Sequence, residues 1–398
     1  MRKLIVLSVT AALAVLVFAD TAAAIPAFAR KYNMSCTVCH APFPRLKAYG
    51  DEFAGNGFVL KDKDAPRYFT DTGDSHLSLI RDLPIAIRFD GHAMYNTATE
   101  KDLDWEWPWV LKILSGGAIA PHVSYYFYFF LSERGEVAGV EDAFVMFNDV
   151  FKTNLDIYLG QFQASDPLFK GELALTFEKY QIYGVRPGYS GANLKYDRGL
   201  MLNYGFSSGT DLFLEVLNGN GIHAADEQRT YDNDKYKNFM GRITQDIGDM
   251  LRIGGFGYWG KEQGLNDDPV LNPLGAAHNN EITMAGPDAT IAVEPLELNF
   301  QYVYRKDSDP TFLCDAKNET ETTGGFAELI LWPHADKSRW YAAGLYNWVE
   351  SDQDNLKYQT ATAHFGYLLR TNFRLTAEYT YDMENEESRA VVGFSTGF

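Results

Sequence analysis

The chain has 398 residues, with 53 Asp and Glu against 35 Lys and Arg, for a formal charge of −18. That acidity excludes a nucleic-acid-binding surface, which needs clustered basic side chains to neutralise phosphates. Aromatic residues are abundant, with 24 Tyr and 27 Phe, yet no apolar run beyond the N-terminus approaches the roughly 18 residues of a spanning helix, which excludes a helical membrane protein but not a membrane barrel.

Residues 1–24 read as a secretory signal. Arg2 and Lys3 form a basic start, Leu4 to Phe18 an apolar core, and Ala22-Ala23-Ala24 a small-residue cleavage site before Ile25. No Cys stands at the cleavage point, so a lipoprotein anchor is not expected. The chain is predicted to be exported.

Cysteine occurs only at positions 36, 39 and 314, which excludes a disulfide framework. Cys36-Thr37-Val38-Cys39-His40 is a C-x-x-C-H sequence. Two thiols at this spacing can each add to a haem vinyl group, and the adjoining His then meets the iron as proximal ligand. A zinc site would need further Cys or His nearby, and none follows before His76. A thioredoxin-like pair would need a βαβ pattern, which is absent. The expected cofactor is one covalent haem c on Cys36, Cys39 and His40.

Residues 25–65 form the predicted haem segment and 66–82 a linker. Pro44 is expected to open a short helix with Leu46, Tyr49 and Phe53 on one face, stopped by Gly55-Asn56-Gly57. Phe28, Tyr32, Phe43 and Phe58 are candidates for apolar cover, and Arg30, Lys31, Arg45 and Lys47 for contact with haem propionates; ordinary core and surface roles suit them equally. So short a segment cannot bury a haem alone, and the rest of the chain has to cover it.

From residue 83 to 398 the pattern has period two. Leu296, Leu298, Phe300, Tyr302 and Tyr304 alternate with Glu297, Asn299, Gln301, Val303 and Arg305, and Phe373 to Met383 alternate likewise. About sixteen such segments, from 83–95 to 387–398, predict an all-β protein. A soluble sandwich would share the alternation. Short turns such as Thr371-Asn372 alternating with long, largely acidic loops at 164–192, 220–235, 261–279 and 307–321 favour an antiparallel outer-membrane barrel with both termini on the periplasmic side. The ending Val392, Phe394, Thr396, Phe398 resembles the assembly signal of such barrels. Trp105, Trp107, Trp109, Trp332, Trp340 and Trp348 fall near strand ends, as interfacial girdles do. No loop has EF-hand spacing, so the acidic loops read as solvated surface, and Cys314 as a free thiol.

On the first strand Ile85, Ile87, Phe89, Gly91, Ala93 and Tyr95 are assigned to lipid, which turns Arg88, Asp90, His92 and Met94 inward. His92 and Met94, with His76 of the linker, are the candidate distal iron ligands. His364 also faces inward, Met34 is tethered too close to Cys36, and a five-coordinate iron stays open.

The run Ile25-Pro26-Ala27-Phe28-Ala29-Arg30, then Cys36-x-x-Cys39-His40, then Phe43-Pro44-x-Leu46-x-x-x-Gly50-x-x-Phe53-x-x-x-Gly57-Phe58 ahead of a long barrel resembles the fused outer-membrane monohaem cytochrome–porins, best known from iron-oxidising bacteria. The resemblance covers the N-terminal signature residue by residue and the barrel in architecture. It implies electron transfer across the outer membrane between a periplasmic cytochrome or other carrier and an extracellular partner, ferrous iron in the iron oxidisers, so iron(II) oxidase activity is an open reading. The alternatives are a porin or uptake channel whose haem segment is a plug or gate, and a haem enzyme such as a peroxidase.

Overall fold

In lipid every backbone polar group needs an internal partner, and strands supply one only by closing on themselves. The structure, a computed structural model, describes residues 27–60, 69–99, 103–266, 272, 275–313 and 318–398; the export signal and Cys314 lie outside the described residues. Two short helices, α1 (Ala27–Tyr32) and α2 (Ala48–Gly55), precede a small hairpin of β1 (Phe69–Thr70) and β2 (Leu79–Ile80). Then come β3 (Ile85–Asn96), β4 (Leu103–Ala120), β5 (Val123–Glu133), β6 (Gly139–Val150), β7 (Leu155–Gln163), β8 (Tyr196–Gly205), β9 (Thr210–Leu217) and β10 (Asn238–Ile247). The second half is β11 (Leu251–Leu265), β12 (Ala277–Val293), β13 (Leu296–Asp307), β14 (Thr320–Leu331), β15 (Trp340–Ser351), β16 (Tyr358–Arg370), β17 (Phe373–Asp382) and β18 (Glu387–Gly397).

Strands β3 to β18 form one closed sixteen-stranded antiparallel barrel, each paired with its sequence neighbours and β18 with β3. All sixteen predicted segments are found. β4 starts at Leu103 rather than 108, and β11 runs to Leu265 rather than 260.

Burial follows the alternation. On β13, Leu296, Leu298 and Phe300 are exposed on the outer wall while Glu297, Asn299, Gln301 and Arg305 are buried inside. On β10, Phe239 and Ile243 point out, and Asn238, Met240, Arg242 and Thr244 point in. An apolar outer band around a polar interior is the mark of a barrel that sits in the bacterial outer membrane. The short turns gather at the end where β3 starts, and this is the periplasmic end.

Three sequence expectations are corrected. Trp105 and Trp107 are exposed as girdle residues, but Trp109 turns inward to the rings of His92 and Phe177. The register shifts by two residues between Asp90↔Val110 and His92↔Glu106, which keeps the parity of both flanks and takes only residues inside the irregularity, Trp109 among them, off the alternation. Trp332 also faces inward, packed on Leu175, Ile330 and Tyr341. Finally, the β7–β8 connection is not an external loop: it folds into the lumen. Leu168, Leu175, Tyr180, Ile182 and Tyr183 of that connection are buried.

Candidate functional site

The C-x-x-C-H sequence is shaped by one tight turn. Ser35 caps a 3₁₀ turn over Cys36–Val38, its Oγ accepting from Thr37 N at 3.3 Å. His40 N donates to the Cys36 carbonyl at 2.9 Å, and Lys47 N to the Cys39 carbonyl at 2.8 Å, closing 40–46 into a loop. Gly50 packs on that loop, where a Cβ would stand 2.4 Å from the Cys39 carbonyl oxygen, so the close approach requires glycine. The thiols of Cys36 and Cys39 are free and half-buried. Burial pushes both thiol pKa values up, so neither is an activated nucleophile in this setting.

His40 Nδ1 lies 2.9 Å from the Pro44 carbonyl oxygen and 3.2 Å from that of Arg45. Two carbonyls are acceptors only, so Nδ1 carries the hydrogen and Nε2 keeps its lone pair free for a metal. Burial lowers the His40 pKa, which keeps the ring neutral at pH 7 and able to ligate.

The segment hangs in the periplasmic mouth. Phe28, Phe53 and Phe58 pack on each other and on Tyr32, and Phe58 stacks on Tyr126 of β5 at 5.1 Å. Asn148 Nδ2 donates to the Gly55 carbonyl at 2.9 Å, and Gly57, at φ 70°, fits beside Ser124. Arg45 pairs with Glu297 and lies over Trp332 at 5.2 Å, and the Cys36 thiol meets the Thr371 side chain. The predicted helix starts later than Pro44, at Ala48, and Tyr49 is exposed rather than sharing the buried face of Phe53. Arg30 donates to the Ile85 carbonyl and Lys47 to the Thr37 carbonyl, so these cations hold the fold around the motif.

Above the segment lies a cavity of about 1880 Å³, larger than the roughly 300–1,000 Å³ of most small-molecule sites. Cys36, Cys39, His40 and Phe43 line one end, Tyr126, Phe144 and Tyr158 a side wall, and Phe169, Lys170 and Tyr180 the far end. Two thiols at haem spacing, an imidazole with Nε2 free, and an apolar-sided cavity of ample volume fit a covalently held haem.

The far end is the inward-folded β7–β8 connection, which crosses to the opposite wall. Phe177 N and Glu178 N donate to the Glu378 carboxylate at 2.6 and 2.8 Å. Tyr180 Oη donates to Glu328 at 3.1 Å, and Arg305 Nη1 donates to the Val185 and Ala192 carbonyls at 2.9 and 2.8 Å. Lys112 binds Glu172, and Arg389 binds Glu178. These ties reach β4, β13, β14, β17 and β18, so the connection is a septum across the lumen.

The distal-ligand candidates are not brought to the motif. His92 lies past the middle of β3, with Nε2 2.6 Å from Glu106 and its ring between Trp109 and Phe177. Met94 is two residues farther out, opposite Asp104, and His76 is exposed between β1 and β2. None of the three lines the cavity; Met34, Met146, Met201 and Met250 do. Met146 and Met201 were legible as inward positions of β6 and β8, and Met34 by nearness alone. His364 has both nitrogens engaged, Nδ1 with Glu378 at 2.8 Å and Nε2 with Tyr341 Oη at 3.2 Å.

No protein-family model matches the sequence, and no curated protein matches it. Solved structures do match in fold. In-vitro folded OmpT of Vibrio cholerae, in its trimer form, superposes with a TM-score of 0.54 at 11% identity, over 80% of this chain and 99% of that one. An anion-selective porin from Comamonas acidovorans gives 0.54 at 10% identity, over 80% and 99%. Salmonella typhi OmpF, in a complex with daunomycin, gives 0.52 at 12% identity, over 79% and 97%. At these identities the likeness is one of fold: the chain has the architecture of the outer-membrane porins, with an added N-terminal segment in its mouth.

Proposed function

We propose that the chain is an outer-membrane electron conduit holding one haem c in the periplasmic half of its barrel, as the fused cytochrome–porins it resembles are understood to do. Cys36 and Cys39 would hold the group covalently and His40 would be its proximal ligand. When bound, it supplies a one-electron iron couple. The observation that carries the reading is the His40 hydrogen bonding: Pro44 and Arg45 fix the tautomer and orientation that leave Nε2 open beside two free thiols. The cavity walls keep lipid away, and the septum obstructs bulk passage while leaving protein between the cavity and the outer loops. A periplasmic cytochrome or other carrier on one side, and external iron or another redox partner on the other, complete the reading.

A second reading, a porin or uptake channel with the N-terminal segment as plug or gate, is favoured by the barrel, which is shared with structures that include an anion-selective porin. Liposomes with a redox dye inside and ferrous iron outside separate the two. Electron transfer without solute leakage, lost in Cys36→Ala and His40→Ala, supports the conduit. Solute flux indifferent to those substitutions, with no electron transfer in the wild type, supports the channel instead.

A further inference from the structure

The loop that orients His40 is tied to the barrel by the same residue that supplies one of its acceptors. The Arg45 carbonyl lies 3.2 Å from His40 Nδ1 and also accepts from Ala41 N at 3.2 Å. The Arg45 side chain meets the wall: Nη2 pairs with Glu297 of β13, and the guanidinium lies over the Trp332 ring at 5.2 Å. Arg45, Glu297 and Trp332 line the same cavity as Cys36, Cys39 and His40. Glu297 is 6% exposed, and among the described residues no other cation pairs with it. A buried carboxylate holds a lone cation firmly, because losing it strands a charge away from water. A planar guanidinium between a carboxylate and an aromatic face has few orientations open to it, so the backbone that carries it is held as well.

We propose that Arg45 and Glu297 are a positioning pair for the proximal ligand: through their contact the barrel wall fixes the hydrogen bond from His40 Nδ1 to the Arg45 carbonyl, and so sets the donor strength of Nε2. The inference rests on the haem reading above. A hydrogen bond given by Nδ1 makes the ring a stronger donor at Nε2, which favours ferric over ferrous iron and lowers the midpoint potential. Losing such a partner of a metal-bound His typically costs about 10–100-fold. Pro44 keeps the closer acceptor, at 2.9 Å, so the lower end is expected: about tenfold in the ferric–ferrous equilibrium, 59 mV for one electron. Charge by itself acts differently. Removing the Arg45 cation favours ferric iron and removing the Glu297 anion favours ferrous, whereas positioning is lost in the same direction in both.

The test uses the full-length protein in detergent, with haem stain after denaturing electrophoresis as control. Arg45→Gln changes the side chain and leaves the carbonyl in place. In both Arg45→Gln and Glu297→Gln the iron–imidazole stretching band, read by resonance Raman scattering just after photolysis of the reduced carbon monoxide adduct, is expected at lower frequency than in wild type. Arg45→Leu combined with Glu297→Leu removes equal and opposite charges and strands neither, so it serves if a single variant fails to assemble. Its band is expected to fall likewise, and its midpoint potential to rise about tenfold, 59 mV, in a spectroelectrochemical titration. Haem-loaded single variants with the wild-type band, or with bands that move in opposite directions, would overturn the proposal and leave the haem reading intact, as would a haem-loaded double variant at the wild-type potential. Absence of stained haem in the wild type itself would overturn both.

Discussion

Two pieces of chain fill this barrel, both packed on aromatic rings, and charged and polar ties to the wall are more numerous in one than in the other. The β7–β8 connection is anchored at both ends and tied to strands around the lumen by charged and buried polar contacts through Glu378, Glu328, Arg305, Lys112 and Arg389. The N-terminal segment rests on stacked rings, the Asn148 contact, the Arg30–Ile85 hydrogen bond and the Arg45–Glu297 pair. Directional polar ties fix a single position, whereas ring packing would suit a segment carrying the proposed haem. The septum therefore belongs to the barrel, and the segment is a fitted part.

The sharpest break in that comparison is chemical. Cys36→Ala with Cys39→Ala is expected to abolish covalent haem completely while the barrel still assembles; haem stain and heat-modifiable gel mobility report the two separately, and loss of both in the variant would show the segment to be integral. Next comes the septum. Glu378→Ala leaves two amides and His364 without their acceptor and is expected to cost about 3–5 kcal/mol, with faster solute entry into liposomes; unchanged flux would mean the other ties suffice.

Smaller effects belong to the segment. Arg45→Ala leaves buried Glu297 without its cation and is expected to cost about 2 kcal/mol, read as faster proteolysis of residues 27–60 against an unchanged barrel. Gly57→Ala places a Cβ against Ser124 at a positive φ, for about 1–2 kcal/mol in the same assay. The smallest effect follows from His40. Its folded pKa is lowered by burial, so the undocked segment binds the proton better, and docking of the haem-free segment weakens as pH falls below about 6.5, the ordinary histidine value. Proteolysis rates independent of pH across that range would show that His40 stays buried without cost.

Much of this was legible in the residues. Period two reveals its own strands, so all sixteen could be placed, and the C-x-x-C-H sequence behind the proposed haem stands out by its spacing alone. Faces were harder. Trp109 defeats parity because two residues of slack near Pro108 are invisible to a strict alternation. The septum was misplaced because loops are read as exterior by default, although Leu168, Phe169, Leu175, Tyr180 and Tyr183 set 164–192 apart from the acidic loops. His92 and Met94 were correctly turned inward, yet facing the lumen does not say at what height, and the septum divides the lumen by height.

The seam of the barrel has a consequence for how the protein is made. Phe398 exchanges backbone hydrogen bonds with Ile87, at 2.7 and 2.9 Å, and Arg30 of the segment grips the carbonyl of Ile85 on that same strand. The clasp that turns a curved sheet into a ring thus lies beside the C-x-x-C-H segment. A group attached to Cys36 and Cys39 while the chain is still open is enclosed as the clasp shuts, and one arriving afterwards has to thread past the segment. On the haem reading, the order of those two events decides whether the group is enclosed.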